Sequence, residues 1–243
     1  MNIKNYISGN FSKNQLTHFY IPVMLLLIGF DVLIAWLFFP VDLNYNIIDR
    51  AISNLGSRLD NPIGSVFFSI GIIAWGVLLI PWFLYVHKRL VKVCKYTSRL
   101  GTVCALIGSI FIPFIGIFSD DDSILIFGTQ MSEIHLFVAT VGIGGLGLGV
   151  LTYILPILKD SFFKRGNRQF SLILVFIAYG LIYYSGIGAA IAAMIKEAQN
   201  YEWPGPGLFS INLWEWTAML AFWIYIPLLS YAIPEEIKEL KEK

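Results

Sequence analysis

The sequence predicts an all-α, polytopic integral membrane protein with six transmembrane helices. Three observations lead to this fold class: six long apolar stretches, a composition poor in charge, and an uneven distribution of basic residues. The chain has 243 residues, of which 57% are hydrophobic and only 14% are charged, whereas soluble domains carry about 25% charged residues. Its mean hydropathy is +0.70. Lipid rather than water is therefore the expected surrounding of most of the chain.

Each apolar stretch is long enough for an α-helix to cross a bilayer. A helix needs about 20 apolar residues to span a hydrocarbon core of about 30 Å. Because lipid cannot hydrogen-bond to bare peptide groups, a crossing segment must satisfy its own backbone as a helix. The stretches are 19–39, 63–86, 100–118, 134–158, 170–194 and 213–233. We therefore predict a bundle over residues 18–233, between an N-terminal segment (1–17) and a C-terminal tail (234–243).

The basic residues predict the orientation of this bundle. Fourteen of the 17 Lys and Arg residues lie in segments that alternate spans would place on one side, and the other side has only Arg50, Arg58 and Lys196. By the positive-inside rule the richer side is cytoplasmic. Six spans then place both termini in the cytoplasm. The sequence leaves open which cellular membrane holds the protein.

Small residues are concentrated in the fourth and fifth stretches. Gly145 and Gly149 form a GxxxG pair in the fourth, and the fifth contains Gly186 and Gly188. Small residues at a spacing of four let helix backbones approach closely in lipid. We therefore expect a tight helix contact that involves the fourth and fifth helices.

Ionisable residues at membrane depth mark the candidate site. Asp31 lies inside the first stretch, where a carboxylate costs about 2.5–3.5 kcal/mol on insertion scales, and it should therefore face the bundle interior and find a partner. Arg50 and His135 are candidate partners. The predicted ligand-binding residues are Asp31, Arg50, Ser53, Asn54, His135 and Glu215. All are expected at or just below the extracytoplasmic face, where convergent polar groups in an apolar cavity would form a small-ligand site.

Structural roles remain open for several of these residues. His135 fits an interfacial hydrogen-bonded histidine as well as a catalyst. Glu215 fits the N-terminus of a helix, where the macrodipole favours negative charge. The run Asp120–Asp122 fits a solvated turn as well as a functional cluster.

Several short elements, taken in order, resemble a known group of membrane proteins. They are Ile52-Ser53-Asn54-Leu55-Gly56, Asn61-Pro62, Gly116-Ile117-Phe118 before acids, His135 four residues before Ala139, and Glu215-Trp216. Their order and positions resemble the six-helix DRAM/Frag/Sfk group. The chain looks closer still to a related prokaryotic family of unknown function whose members share an Ile-Ser-x-Leu-Gly element. The likeness covers about residues 20–233.

The resemblance implies lipid handling, the common theme of the eukaryotic relatives, which include autophagy modulators, a factor in GPI-anchor lipid remodelling and regulators of lipid distribution. The matched positions here are Ser53, Gly56, His135 and Glu215. This chain has Asn54 where the eukaryotic group tends to have an acid, so an acid-dependent role does not carry over to that position.

Three functions compete at this stage. The first is binding of a membrane lipid in an outer-facing polar pocket. The second is an intramembrane hydrolase or transferase acting on a lipid head group, with His135 as general base, Ser53 or water as nucleophile, and Glu215 or Asp31 as orienting group. The third is a proton- or cation-coupled transporter that uses Asp31.

The sequence predicts membrane lipids as partners and gives no sign of nucleic-acid binding, because topology explains the basic loops. No cofactor or metal is expected, since the candidate site has one histidine and no zinc-type spacing. Protein partners and a homo-oligomeric state stay open.

Overall fold

A computed structural model describes residues 6–159, 169–200, 202, 205 and 207–233, without the side chains of 169–172 and 196. Within these ranges the fold is mostly helical, and six helices are long and apolar enough to cross a membrane. They are α1 (Lys13–Leu37), α2 (Gly64–Leu90), α3 (Lys95–Ile117), α4 (Met131–Lys159), α5 (Gln169–Gln199) and α6 (Ile211–Ala232). The prediction of a mostly helical chain with six helices long and apolar enough to cross a membrane is confirmed. The predicted tail, 234–243, lies outside the described residues.

The connections contain short regular elements. A two-stranded hairpin, β1 (Leu125–Ile126) and β2 (Thr129–Gln130), separates α3 from α4. Three 3-10 helices lie at Val41–Leu43, Ile52–Gly56 and Gly207–Phe209. We call the end of the bundle formed by residues 38–63 and 118–130 the distal end.

Helix α1 begins earlier than its apolar stretch because polar residues cap it. The Ser12 hydroxyl accepts from the Gln15 backbone N–H at 3.2 Å, and the Gln15 side chain accepts from the Ser12 N–H at 3.1 Å. This capping box satisfies backbone donors that a helix start leaves free. A π-helical turn at Leu16–Tyr20 follows. It ends two residues before Pro22, which has no N–H to continue a regular ladder.

The helices pack as a sequential row of four plus a pair. Helices α1 to α4 each pack on the next, α5 packs on α6, and α6 returns to the start of the row. The indole N–H of Trp82 in α2 donates to the Ser230 hydroxyl in α6 at 2.8 Å. Near the distal end, the rings of Trp36 and Trp216 join α1 to α6 with centroids 5.6 Å apart.

The glycines of α4 pack against α3 rather than α5. A Cβ added at Gly145 would lie 2.8 Å from the backbone nitrogen of Gly108, and one added at Gly149 would lie 2.9 Å from the Gly101 carbonyl oxygen. Helices α4 and α5 are instead joined by the Tyr179 hydroxyl, which donates to the Val150 carbonyl at 2.9 Å. They are not closely packed along their length. Small residues permit a close approach but do not specify which neighbour uses it.

Replacing Gly145 with alanine should destabilise the fold, because the new methyl group would meet backbone atoms of α3 that cannot move separately. The expected loss is about 1–3 kcal/mol, the usual cost of overpacking. Thermal unfolding of the purified protein in detergent measures it. Gly144→Ala is the matched control, since a Cβ there meets nothing within 4 Å. Equal stability of the two variants would contradict the close α3–α4 contact.

Candidate functional site

The loop over residues 38–63 covers the distal end and is fixed by a buried asparagine. The side-chain amide of Asn61 donates to the carbonyls of Ala35 and Leu55, at 2.9 and 3.0 Å. Its oxygen accepts from the Gly64 N–H at 3.2 Å. Asn61 therefore satisfies a carbonyl near the end of α1 and an N–H at the start of α2, groups that helix ends leave free.

Asp121 fixes the same loop to the segment between α3 and α4. Its carboxylate is buried and faces four donors: the hydroxyls of Ser57 and Ser119, at 2.6 and 2.5 Å, and the backbone N–H groups of Arg58, at 3.0 Å, and Leu59. Burial raises the pKa of Asp121, but the hydrogen bonds outweigh it and hold the pKa below its ordinary value. The charged form thus joins the two polar segments of the distal end.

A cavity of about 310 Å³ lies beneath this loop, between the α2–α4 side of the bundle and the α5–α6 pair. Its walls are mainly apolar, with Ile72, Trp75, Leu146, Met219 and Phe222 among the lining residues. Its polar side chains are Ser53, His135, Ser185 and Glu215. The structure therefore brings three of the six predicted site residues to one cavity.

His135 is held in one ring orientation. Only 7% of the residue is exposed, and Nδ1 lies 2.7 Å from the Phe118 carbonyl oxygen. Because a carbonyl can only accept, Nδ1 carries the hydrogen, and in the neutral ring Nε2 keeps its lone pair. Nε2 has no hydrogen-bond partner among the described residues.

Glu215 lies in the second turn of α6, next to the 3-10 helix of the covering loop. Its carboxylate accepts from the backbone N–H of Ile52 and lies close enough to Asp120 for the two charges to interact. Asp120 in turn accepts from the Ser53 hydroxyl at 3.3 Å. Two acidic side chains therefore meet at this end of the cavity, and no Lys or Arg is among the described lining residues.

Arg50 and Asn54 do not line the cavity. Arg50 forms an ion pair with Asp60 at 2.8 Å and lies over the ring of Phe39, 5.7 Å from its centroid. The Asn54 side chain accepts from the Ala51 N–H at 2.9 Å and caps the 3-10 helix. Both side chains stabilise the covering loop.

Asp31 also lies away from the cavity, at the α1–α2 contact. It is 8% exposed, and a Cβ added at Gly71 would come within 2.6 Å of the Asp31 Cβ. In the described parts of the chain, Asp31 makes neither a hydrogen bond nor an ion pair. The expected pairs with Arg50 or His135 are not formed, because those two side chains bind Asp60 and the Phe118 carbonyl.

The cavity reaches the surface of the helix bundle between α4 and α5. Ile143 of α4 lines it and is 51% exposed, and Gly186 of α5 lines it with no atom within 4 Å of an added Cβ. Further along α5, the ring of Trp214 packs directly over Gly188. The Trp214 indole N–H donates to the Leu208 carbonyl at 2.9 Å, which fixes the ring as a wall of the cavity.

The nucleophile–base pair that the sequence suggested as one alternative is not formed among the described residues. No hydrogen bond joins His135 to Ser53 or Glu215 within the described residues, so no nucleophile–base pair is formed. The same part of the chain has no cluster of three or more His, Cys, Asp and Glu side chains that could hold a metal ion.

Sequence reasoning missed the role of Asp121, although the run Asp120–Asp122 was visible. The available signal was the pair of serines, Ser57 and Ser119, in the two polar segments nearest the acids. Serines are common in loops, so this signal alone does not identify a partner.

No protein-family model, no curated protein and no solved structure matches this chain. The resemblance to the DRAM/Frag/Sfk group therefore stays a prediction, and the cavity itself carries the functional proposal below.

Asp121→Asn should lower stability at neutral pH by about 1.5–3 kcal/mol, the usual worth of hydrogen bonds to a charged group. Since the folded pKa is lowered, the charged form stabilises the fold above the unfolded pKa of about 3.9, and this is lost as pH falls through the folded pKa. Thermal unfolding of the variant and the natural protein across pH tests this. The two curves should converge at low pH.

Asp122→Asn is the control, because Asp122 is exposed and has no partner among the described residues. A loss of stability equal to that of Asp121→Asn would show that the change in net charge, and not the loss of the Asp121 hydrogen bonds, causes the effect.

Proposed function

We propose that this protein binds a membrane amphiphile in the cavity at its distal end, as part of membrane lipid handling. The observation that carries the proposal is a cavity with apolar walls whose few polar side chains, Ser53, His135 and Glu215, lie with Asp120 close to one end. Apolar walls with a few convergent polar groups are the usual form of a small-ligand site.

The volume limits what the cavity can hold. About 310 Å³ is at the lower end of the ~300–1,000 Å³ range of small-ligand cavities. The proposed occupant is therefore a single-chain amphiphile, or one chain and the head of a larger lipid whose remainder stays in the bilayer. The opening between α4 and α5 suits such a ligand, because a chain can enter sideways from lipid without crossing water.

The proposed orientation is N-terminus and C-terminus in the cytoplasm, which makes the distal end extracytoplasmic. The uneven distribution of Lys and Arg supports it. The resemblance to lipid-handling membrane proteins supports a role of the cavity in lipid handling. The orientation is tested separately.

Cysteine labelling distinguishes the two sides. Cys94 lies between α2 and α3, and the hydroxyl and backbone N–H of Thr97 beside it lower the pKa of the thiol, which favours reaction. An impermeant maleimide on intact cells should label Ser123→Cys in a Cys94→Ser background. It should label the natural Cys94 only after permeabilisation. Labelling of Cys94 in intact cells would show that the orientation is the opposite of the proposed one.

Closing the lateral opening should block binding. In Gly186→Trp the indole would occupy the space that is open beside the cavity. A single-chain alcohol with a diazirine in its tail is cross-linked in proteoliposomes, and saturable labelling is mapped by mass spectrometry. Labelling of the natural protein should fall on lining residues such as Ala139, Ile143 and Ala218. It should drop about tenfold in the variant, as expected for a steric cost of about 1.4 kcal/mol.

Gly180→Trp is the matched control. Gly180 is on the same helix and also has open space around it, but it does not line the cavity. Its labelling should equal that of the natural protein. Absence of saturable labelling at the lining residues, or an equal drop in both variants, would overturn the proposal.

A further inference from the structure

We propose that the polar end of the cavity selects an amphiphile with a primary amine head, in its ammonium form, over one with a phosphate or carboxylate head. This inference rests on the proposed function and names the class of ligand for the same cavity. Two independent features carry it: the sign of the charges at the polar end, and the direction of the hydrogen bonds already made there.

The polar end of the cavity has acidic side chains and no described Lys or Arg. Glu215 lines the cavity and lies near Asp120. The two arginines of the covering loop point their charge elsewhere: Arg50 pairs with Asp60, and a terminal nitrogen of Arg58 donates to the Ile117 carbonyl at 2.7 Å. A phosphate would therefore meet carboxylates with no described cation to offset the repulsion, whereas an ammonium group would meet opposite charge.

The hydroxyl and imidazole groups that line the cavity already donate their hydrogens to acceptors of the protein. The Ser53 hydroxyl donates to Asp120, the Ser185 hydroxyl donates to the Ile182 carbonyl at 2.8 Å, and His135 donates through Nδ1. The groups that remain are acceptors: the Glu215 carboxylate, the His135 Nε2 lone pair and the hydroxyl lone pairs.

The indole donors do not change this result. The Trp214 N–H is bound to the Leu208 carbonyl, and the Trp75 N–H is enclosed by protein and unpartnered, so it does not reach the cavity surface. An ammonium group has three donors and no acceptor, while phosphate and carboxylate groups offer acceptors. Only the ammonium head matches a set of acceptors.

His135 is a second feature, besides the acidic side chains, that favours an ammonium head. The residue is 7% exposed, its ring is fixed by the Phe118 carbonyl, and its second nitrogen has no described partner although it belongs to a side chain that lines the cavity. Nε2 is not among the fully enclosed, unpartnered polar atoms of the described residues, so a donor on a ligand can reach it and form a hydrogen bond. Glu215 and His135 would therefore bind the same head group, one through charge and the other through a hydrogen bond.

Competition between amphiphiles of equal chain length tests the selectivity. The diazirine alcohol is cross-linked to the natural protein in phosphatidylcholine vesicles, and competitors with amine, alcohol, phosphate and carboxylate heads are titrated. The amine should compete best, by about tenfold or more over the phosphate, as expected for a charge-assisted hydrogen bond. Glu215→Gln should remove most of this difference between the amine and the phosphate.

Glu133→Gln is the control, because Glu133 is an exposed acid in the first turn of α4 at the same end and does not line the cavity. It should leave the amine preference unchanged, which separates selection in the cavity from attraction of amines to a negative surface. If Glu215→Gln does not fold, the competition series on the natural protein still decides the head-group class.

The outcomes separate the two proposals. Equal competition by all heads, or stronger competition by the phosphate or carboxylate, would overturn the selectivity and leave amphiphile binding intact. If Glu215→Gln and Glu133→Gln both lose the preference for the amine, the preference comes from the negative surface and not from the cavity. That result would also overturn the selectivity. No saturable cross-linking of the alcohol at all would overturn the proposed function and this inference together.

Discussion

The carboxylate of Asp121 connects the covering loop to the segment between α3 and α4 through several hydrogen bonds. It accepts from Ser57 in the covering loop and from Ser119 at the end of α3. Loops at a membrane surface expose polar backbone that must find partners, and a single anion with several donors satisfies many at once. The position of Ser53 and the 3-10 helix above the cavity depends on this connection, since both belong to the loop that Asp121 holds.

Packing between the helices determines where the cavity lies. At the glycines of the α3–α4 contact, no side chain separates the two backbones. Helices α4 and α5 meet instead through the Tyr179 hydrogen bond and are otherwise loosely packed. Tight packing on one face of α4 and open packing on the other leave space beside His135. The same helix therefore supplies both a rigid support and a wall of the cavity.

The sequence predicted the helices well because their physical cause is local: length and apolarity in consecutive residues. It also placed Ser53, His135 and Glu215 at one end, since polar groups at membrane depth are restricted in where they can lie. Partners were beyond reach, because they depend on which helices are neighbours. Asp31 therefore lies at the α1–α2 contact, away from the cavity, and Arg50 binds Asp60 within its own loop. The target of the α4 glycines was unpredictable for the same reason.

Gly188 helps to determine the size of the cavity. The indole of Trp214 packs against this glycine and forms part of the cavity wall. A β-carbon at position 188 would clash with the ring. A related protein with alanine at this position would have to displace the indole and would thereby enclose a differently shaped space. The shape of the cavity can thus diverge during evolution through a residue that is not among its described lining residues.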